Sequence, residues 1–361
     1  MRDRMARSLL IVTICALLCH IDIANAWILR RNNGSANANA RVLRLIGSGA
    51  TLPFPIYSAW FRSFGRQTPG VTVDFQAKGS GAGIQDLINR TVDFAASDAA
   101  MTPEQINKVD GGAVLLPMTA GEIVLAYNLP GEPKDLKLPR SVYPDIFLGK
   151  ITHWNDPAIV AANPNLTLPN LPITVVRRSD SSGTTFVFSK HLAAVSPAFK
   201  AQVGVGTTVR WPQSNRIIGA PRNNGVTATI RQTPGAIGYI EFNHAKLARA
   251  NWALLENKAG KYIAPGSEGG AAALAGANFS PDLIAWVEDP PEPDAYPIAS
   301  FTWMLFFQRQ DPRRAEYLRK VVDFGLTEGQ KITDDMGFIP LPPNVVEKVK
   351  AASAKIGSVA P

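Results

Sequence analysis

Three times the chain runs a short apolar strand into a corner of glycine, serine and threonine, then leaves it on a helix. Val42-Leu43-Arg44-Leu45-Ile46 enters Gly47-Ser48-Gly49-Ala50-Thr51-Leu52-Pro53, and Ile56, Tyr57, Trp60, Phe61 and Phe64 follow at helical spacing. Val71-Thr72-Val73-Asp74-Phe75 enters Gly79-Ser80-Gly81-Ala82-Gly83, followed by Ile84, Leu87 and Ile88. Ile173-Thr174-Val175-Val176 enters Arg177-Arg178-Ser179-Asp180-Ser181-Ser182-Gly183-Thr184-Thr185, with Phe186-Val187-Phe188 and Leu192 beyond it. A further strand, Val92-Asp93-Phe94-Ala95-Ala96, ends at Ser97-Asp98. Strand, tight corner and helix in this succession build α/β units around a mostly parallel sheet.

Each corner suits an oxyanion. Small residues at the start of a helix let backbone N–H groups point together at an anion. Arg178 adds a planar, permanently charged fork that matches two oxygens of a phosphate or carboxylate. A nucleotide site does not fit. Gly79, Gly81 and Gly83 lack the final glycine of the dinucleotide fingerprint, and the corner at Gly47–Thr51 lacks the Gly-Lys-Ser/Thr close of a P-loop. A hydrolase with Ser182 or Thr184 as nucleophile would need a base, yet His153, His191 and His244 stand in no triad motif. No Asp/His cluster has metal-ligand spacing, and no metal or other cofactor is expected.

The start of the chain reads as an address. Arg2, Arg4 and Arg7 precede an apolar run from Ser8 to Cys19, and Ala24-Asn25-Ala26 offers a small-x-small cleavage site. Residues 1–26 are therefore expected to be a signal peptide, cleaved near Ala26, and 27–45 a flexible tether. Cys15 and Cys19 both fall in the leader, so the exported chain would hold neither a disulfide nor a thiolate site. Three arginines and two aspartates leave with it, taking the formal charge from +8 to +7. That mild basicity favours anionic small molecules through long-range steering. Nucleic acid is not expected, because the basic residues are scattered and not interleaved with aromatics. With 18% charged against 46% hydrophobic residues the chain should pack a core, and its 361 residues suggest two domains.

Between Asn128 and Pro297 short apolar runs alternate with proline, asparagine and glycine. Ile146 to Trp154 fits a short helix and turn with a packing tryptophan, and Pro234 to Ile240 reads as a turn into a buried strand. Gly266 to Ala277, mostly glycine and alanine, shows no pattern. Ile298 to Phe307 is a strongly apolar strand; Asp311 and Pro312 then cap a helix through Tyr317, Leu318, Val321, Val322 and Phe324. A last short helix carries Val345, Val346 and Val349.

These motifs, in this order, resemble the periplasmic phosphate-binding proteins that feed phosphate-specific ABC transporters. The similarity runs from about Ile46 to near the C-terminus. It is carried by GSGATLP at Gly47–Pro53, KGSGAG at Lys78–Gly83, DFAASDA at Asp93–Ala99, GKITHWNDP at Gly149–Pro157, RRSDSSGTT at Arg177–Thr185 and PGAIGY at Pro234–Tyr239. The resemblance implies an α/β fold of the two-lobed, type II binding-protein kind, each lobe a mixed, mostly parallel sheet flanked by helices. Lobe 1 would be 46–127 with 298–361, and lobe 2 128–297, joined by crossovers at Glu122–Asn128 and Tyr296–Ser300. The lobes would close on ligand about a hinge.

The phosphate contacts implied are Thr51 (hydroxyl and N–H), Leu52 (N–H), Ser80 (hydroxyl and helix N-terminus), Arg178, and Ser182, Gly183 and Thr184. Asp98 would accept a hydrogen bond from a proton on the phosphate, and Asp180 would orient Arg178. Leu52 stands where many relatives have phenylalanine, Ser181 where glycine is common, and Glu122 where a small residue is usual; Asn223-Asn224-Gly225 replaces a more acidic version. The implied role is high-affinity capture of inorganic phosphate outside the cytoplasm by a monomer that is not an enzyme. Its partners would be the permease and ATPase of an ABC importer, touched peripherally at the membrane. A phosphate sensor or a secreted binder is the alternative, with a phosphatase behind both.

Overall fold

The computed structural model describes residues 42–359. The expected signal peptide, both cysteines and the tether as far as residue 41 lie outside the described residues. The strands are β1 (Leu43–Gly49), β2 (Val71–Ala77), β3 (Phe94–Ser97), β4 (Ala113–Tyr127), β5 (Lys137–Leu138), β6 (Thr174–Arg178), β7 (Ile217–Ala220), β8 (Ala236–Glu241), β9 (Asn251–Trp252), β10 (Leu254–Glu256), β11 (Tyr262–Ile263) and β12 (Ala299–Phe307). The helices of seven residues or more are α1 (Phe54–Gln67), α2 (Ser80–Ile88), α3 (Gly183–Val195), α4 (Arg222–Gln232), α5 (Phe242–Ala248), α6 (Ser267–Leu274), α7 (Pro312–Leu326) and α8 (Pro343–Ser353). The end of the expected tether, 43–45, is instead the start of β1, because Leu45 packs into the core there.

Two groups of strands share β4. The order is β2-β1-β3-β12-β4-β8-β6-β7, with β9 also on β4; a small sheet, β11-β10-β5, lies apart. β1 and β3 run parallel, as do β6 with β7 and with β8; β12 is antiparallel to β3 and β4, and β4 to β8. This is the mixed α/β plan the sequence implies. β4 changes partner at one point: Glu122 faces Ala299 of β12, whereas Ile123 faces Glu241 of β8. One strand therefore carries the chain from the first group to the second, and β12 returns to the first.

Apolar stripes decide which faces are buried. Ile56, Tyr57, Trp60, Phe61 and Phe64 of α1 are all buried, and the rings of Tyr57 and Phe61 pack with Phe75 and Phe94. Trp154 is wholly buried with its indole N–H on the Gly235 carbonyl at 3.0 Å, a packing role as expected, although the helix before it spans Val142–Phe147. Asp311 caps α7 by accepting the Arg314 N–H at 2.9 Å.

The patternless stretch 266–277 holds α6. A glycine–alanine helix has no apolar stripe to read, since its contacts are made by its lack of side chains. At Gly270 a Cβ would meet Ile339 Cδ1 at 2.3 Å and Glu122 Oε1 at 3.1 Å. Glu122 itself is buried, its Oε2 accepting the Gly266 N–H at 2.7 Å, and burial pushes its carboxyl well above the usual range.

Candidate functional site

The three corners meet. Thr51 and Leu52 follow β1, Ser80 opens α2 after β2, and Arg178 ends β6 just before the loop that opens α3. Asp98 follows β3. Thr51, Leu52, Ser80, Asp98, Arg178, Ser182, Gly183 and Thr184 are all buried, and Asp180 is half-buried. The packing between corners requires glycine at two places. At Gly183 a Cβ would meet Ser80 Oγ at 2.4 Å and Asp98 Cβ at 2.6 Å. Gly79 has φ +108° and lies against Asp180 and the Ser181 carbonyl, where a Cβ would meet Asp180 Oδ2 at 2.6 Å. Ser181 helps bind the corners: its carbonyl accepts the Gly81 N–H at 3.1 Å and its hydroxyl donates to Thr207 Oγ1 at 3.0 Å.

A set of donors lines this cluster without protein partners. Among the described residues, the main-chain N–H groups of Thr51, Leu52, Ser80, Gly183 and Thr184 make no hydrogen bond to protein. A buried N–H left unpaired costs as much as a lost hydrogen bond, so several together mark a place built for an acceptor. Two of the corners are also helix N-termini, where the dipole favours negative charge. Ser182 caps α3 through the Thr185 N–H at 3.1 Å and keeps its hydroxyl proton for a further bond.

Arg178 is the cation of the site. Its Nε donates to Asp180 Oδ1 at 2.7 Å, Nη2 to Asp180 Oδ2 at 2.5 Å and Nη1 to Thr184 Oγ1 at 3.2 Å. A guanidinium has five N–H bonds, so two remain for another acceptor. Asp180 is itself fixed by the Arg222 N–H at 2.9 Å. Burial alone would raise its carboxyl; the Arg178 bonds outweigh this and hold it below the usual range. Tyr239 braces the arginine from behind, its hydroxyl accepting the Arg178 N–H at 3.0 Å and pairing with Thr185 Oγ1 at 2.7 Å.

Asp98 is the one carboxylate among the wholly buried residues of the cluster. Its N–H donates to Ser80 Oγ at 3.2 Å and its Oδ1 accepts the Thr302 hydroxyl at 2.8 Å. Thr302 sits where β12 slips register against β4, between Thr302 and Trp303. Burial dominates the aspartate's titration and pushes it up to about 7, against the opposing Thr302 bond and Arg178 charge. Because the folded value is the higher one, this contribution to stability is full below the ordinary carboxylate range and is lost as pH rises through about 7. The unaltered, ligand-free protein should therefore lose melting temperature relative to Asp98→Asn as pH rises from 5 to 7. Glu122 and Glu241, raised by burial, and His191 and His244, lowered by it, titrate alike in both proteins and cancel in that difference. Calorimetric melting across pH reads this; parallel slopes in the two proteins would refute it.

Sequence reasoning missed Asn223, Thr302 and Tyr239. Asn223 is wholly buried and its Nδ2 donates to both Thr51 Oγ1 (2.9 Å) and Thr184 Oγ1 (3.2 Å). The hint in the sequence was an asparagine in the first turn of a helix, next to a carboxylate-poor Asn-Asn-Gly. For Thr302 it was a lone hydroxyl in the apolar run Phe301–Phe307. The two buried histidines make other bonds: His191 lies between Tyr143 and the Glu288 carbonyl, each at 2.8 Å, and His244 Nε2 donates to the Thr51 carbonyl at 2.9 Å. Burial lowers both, to about 4.

The family described as the PBP superfamily domain matches residues 34–328. The phosphate-binding protein PstS of Xylella fastidiosa (strain 9a5c) is 35% identical over 315 residues, 86% of this chain and 84% of that protein. The protein of the same name from Haemophilus influenzae is 36% identical over 316 residues, covering 86% and 93%. Among solved structures, a phosphate-binding protein from Stenotrophomonas maltophilia aligns with TM-score 0.71 at 21% identity, over 88% of this chain and 96% of that one. The last similarity shows the fold.

Proposed function

The chain belongs to the PBP superfamily and, within it, to the phosphate-binding PstS proteins, and from that membership we propose that it captures inorganic phosphate for an ABC importer. The observation that carries the proposal to this chain's own residues is the set of five unpaired, buried N–H groups beside the two spare N–H bonds of Arg178. Thr51, Leu52, Ser80, Arg178, Ser182, Gly183 and Thr184 would donate to the anion. Asp98 would accept from it, with Asp180 holding Arg178 in place. A tetrahedral anion has oxygens enough for all of these, and only one that carries a proton has a use for Asp98.

Closure follows from the pairing of β4. Strands on either side of the Glu122–Ile123 step supply different corners, so opening at the step parts Thr51, Ser80 and Asp98 from Arg178 and Thr184. On this reading lobe 1 is 46–127 with 298–361 and lobe 2 is 128–297. The chain would be exported by its first 26 residues, would act as a monomer in the periplasm, and would meet the membrane only through the importer's permease and ATPase. The described residues include no helix long and apolar enough to cross a membrane. Hydrolysis is not part of the proposal: neither buried histidine is bonded to Ser182 or Thr184, and both are held neutral.

Titration calorimetry on protein stripped of co-purified anion tests the proposal. It should show one tight phosphate site, weak sulfate binding and no turnover of a chromogenic phosphate ester. Equal affinity for sulfate and phosphate at pH 8, where Asp98 is ionised, would defeat it.

A further inference from the structure

Asn223 holds an amide whose orientation is not a matter of choice. Its Oδ1 accepts the Glu241 N–H at 3.1 Å, and a main-chain N–H can only donate, so Nδ2 is the end that faces the site. From there Nδ2 donates to Thr51 Oγ1 and Thr184 Oγ1. A hydroxyl has two lone pairs and one proton. Thr51 Oγ1 takes a second bond from the Asn223 N–H at 3.4 Å, and Thr184 Oγ1 a second from Arg178 Nη1 at 3.2 Å. With both lone pairs engaged, each hydroxyl proton must point in the remaining direction. Among the described residues neither finds an acceptor there.

We propose that Asn223 sets the hydrogen-bond polarity of the site: by filling the acceptor capacity of Thr51 and Thr184 it obliges both hydroxyls to donate to the bound oxyanion. The inference rests on the anion-binding reading above and adds a positioning residue that acts through two others. Asn223 also spans the two sides of the cleft, since Thr51 follows β1 and Thr184 opens α3. The same amide thus orients donors on both sides only when the sides are together, which links full donor strength to closure. An aspartate of the same shape would keep the Glu241 contact and invert the rest. Its carboxylate would accept from both hydroxyls, turn their protons away from the ligand, and add a negative charge near Asp98.

The test is a cycle read by phosphate titration calorimetry on full-length, anion-stripped protein. Asn223→Ala should weaken phosphate binding roughly 10- to 100-fold, and Asn223→Asp by on the order of 1000-fold or more. In a Thr51→Val/Thr184→Val background, which has no hydroxyls to orient, Asn223→Ala should cost less than about 3-fold further. The loss from Asn223→Asp should shrink at least about tenfold there. A purely structural asparagine would cost the same factor in both backgrounds, and that result overturns the proposal. If Asn223→Ala fails to fold by circular dichroism, the isosteric Asn223→Asp carries the comparison. Absence of phosphate binding by the unaltered protein would strike the anion reading itself; binding with an additive cycle strikes only the role of Asn223.

Discussion

Arg178→Ala should weaken phosphate binding by roughly 100- to 10,000-fold while leaving the chain folded. The guanidinium offers the anion two N–H bonds, and hydrogen bonds between charged groups contribute about 1.5–3 kcal/mol each. Its side chain is only 1% exposed, so water does not screen the pair as it would at a surface. Loss of the arginine also frees Asp180, whose carboxylate then lies near the anion with only the Arg222 N–H to hold it. The fold should survive because Tyr239 and Thr185 keep their own bond. Arg178→Lys should recover part of the loss, since an ammonium restores the charge without the fork. Calorimetry measures all three; an alanine variant that binds within a few-fold of the original would show that the arginine is not a ligand.

Asp98→Asn should erase discrimination between phosphate and sulfate. Phosphate near neutral pH keeps a proton that Asp98 can accept, whereas sulfate has none. To hold sulfate, Asp98 must first take a proton from solvent. With its carboxyl pushed up to about 7, that uptake is nearly free at pH 6. Above about 7 it costs roughly tenfold in affinity for each further pH unit. The phosphate-to-sulfate affinity ratio should therefore climb about tenfold per unit from pH 7 to pH 9. In Asp98→Asn, whose amide donates without titrating, the ratio should be small and flat with pH. Competition titrations at several pH values decide this. A ratio that ignores pH in the unaltered protein, or climbs equally in the variant, would remove Asp98 from the selectivity mechanism.

How much of this the sequence disclosed follows from where the donors come from. Main-chain N–H groups at strand-to-helix corners are encoded locally, in the small residues that let the chain turn tightly, so the corners at Thr51, Ser80 and Gly183 were legible. Arg178 and Asp180 were legible for the same reason, two residues apart in one loop. Thr302 and Asn223 were not, because their contacts with Asp98 and Thr51 span separations of 204 and 172 residues. Such pairings are set by the register of β12 against β4 and by the start of α4. The helix α6 escaped notice for the opposite reason: its packing uses absent side chains, which leave no periodic mark.

The most direct trial is a crystal structure of the stripped chain soaked with phosphate. One tetrahedral anion should be enclosed by the N–H groups of Thr51, Leu52, Ser80, Gly183 and Thr184, with Arg178 on two oxygens and Asp98 opposite a third. An anion seated elsewhere, with that cluster untouched, would contradict the account.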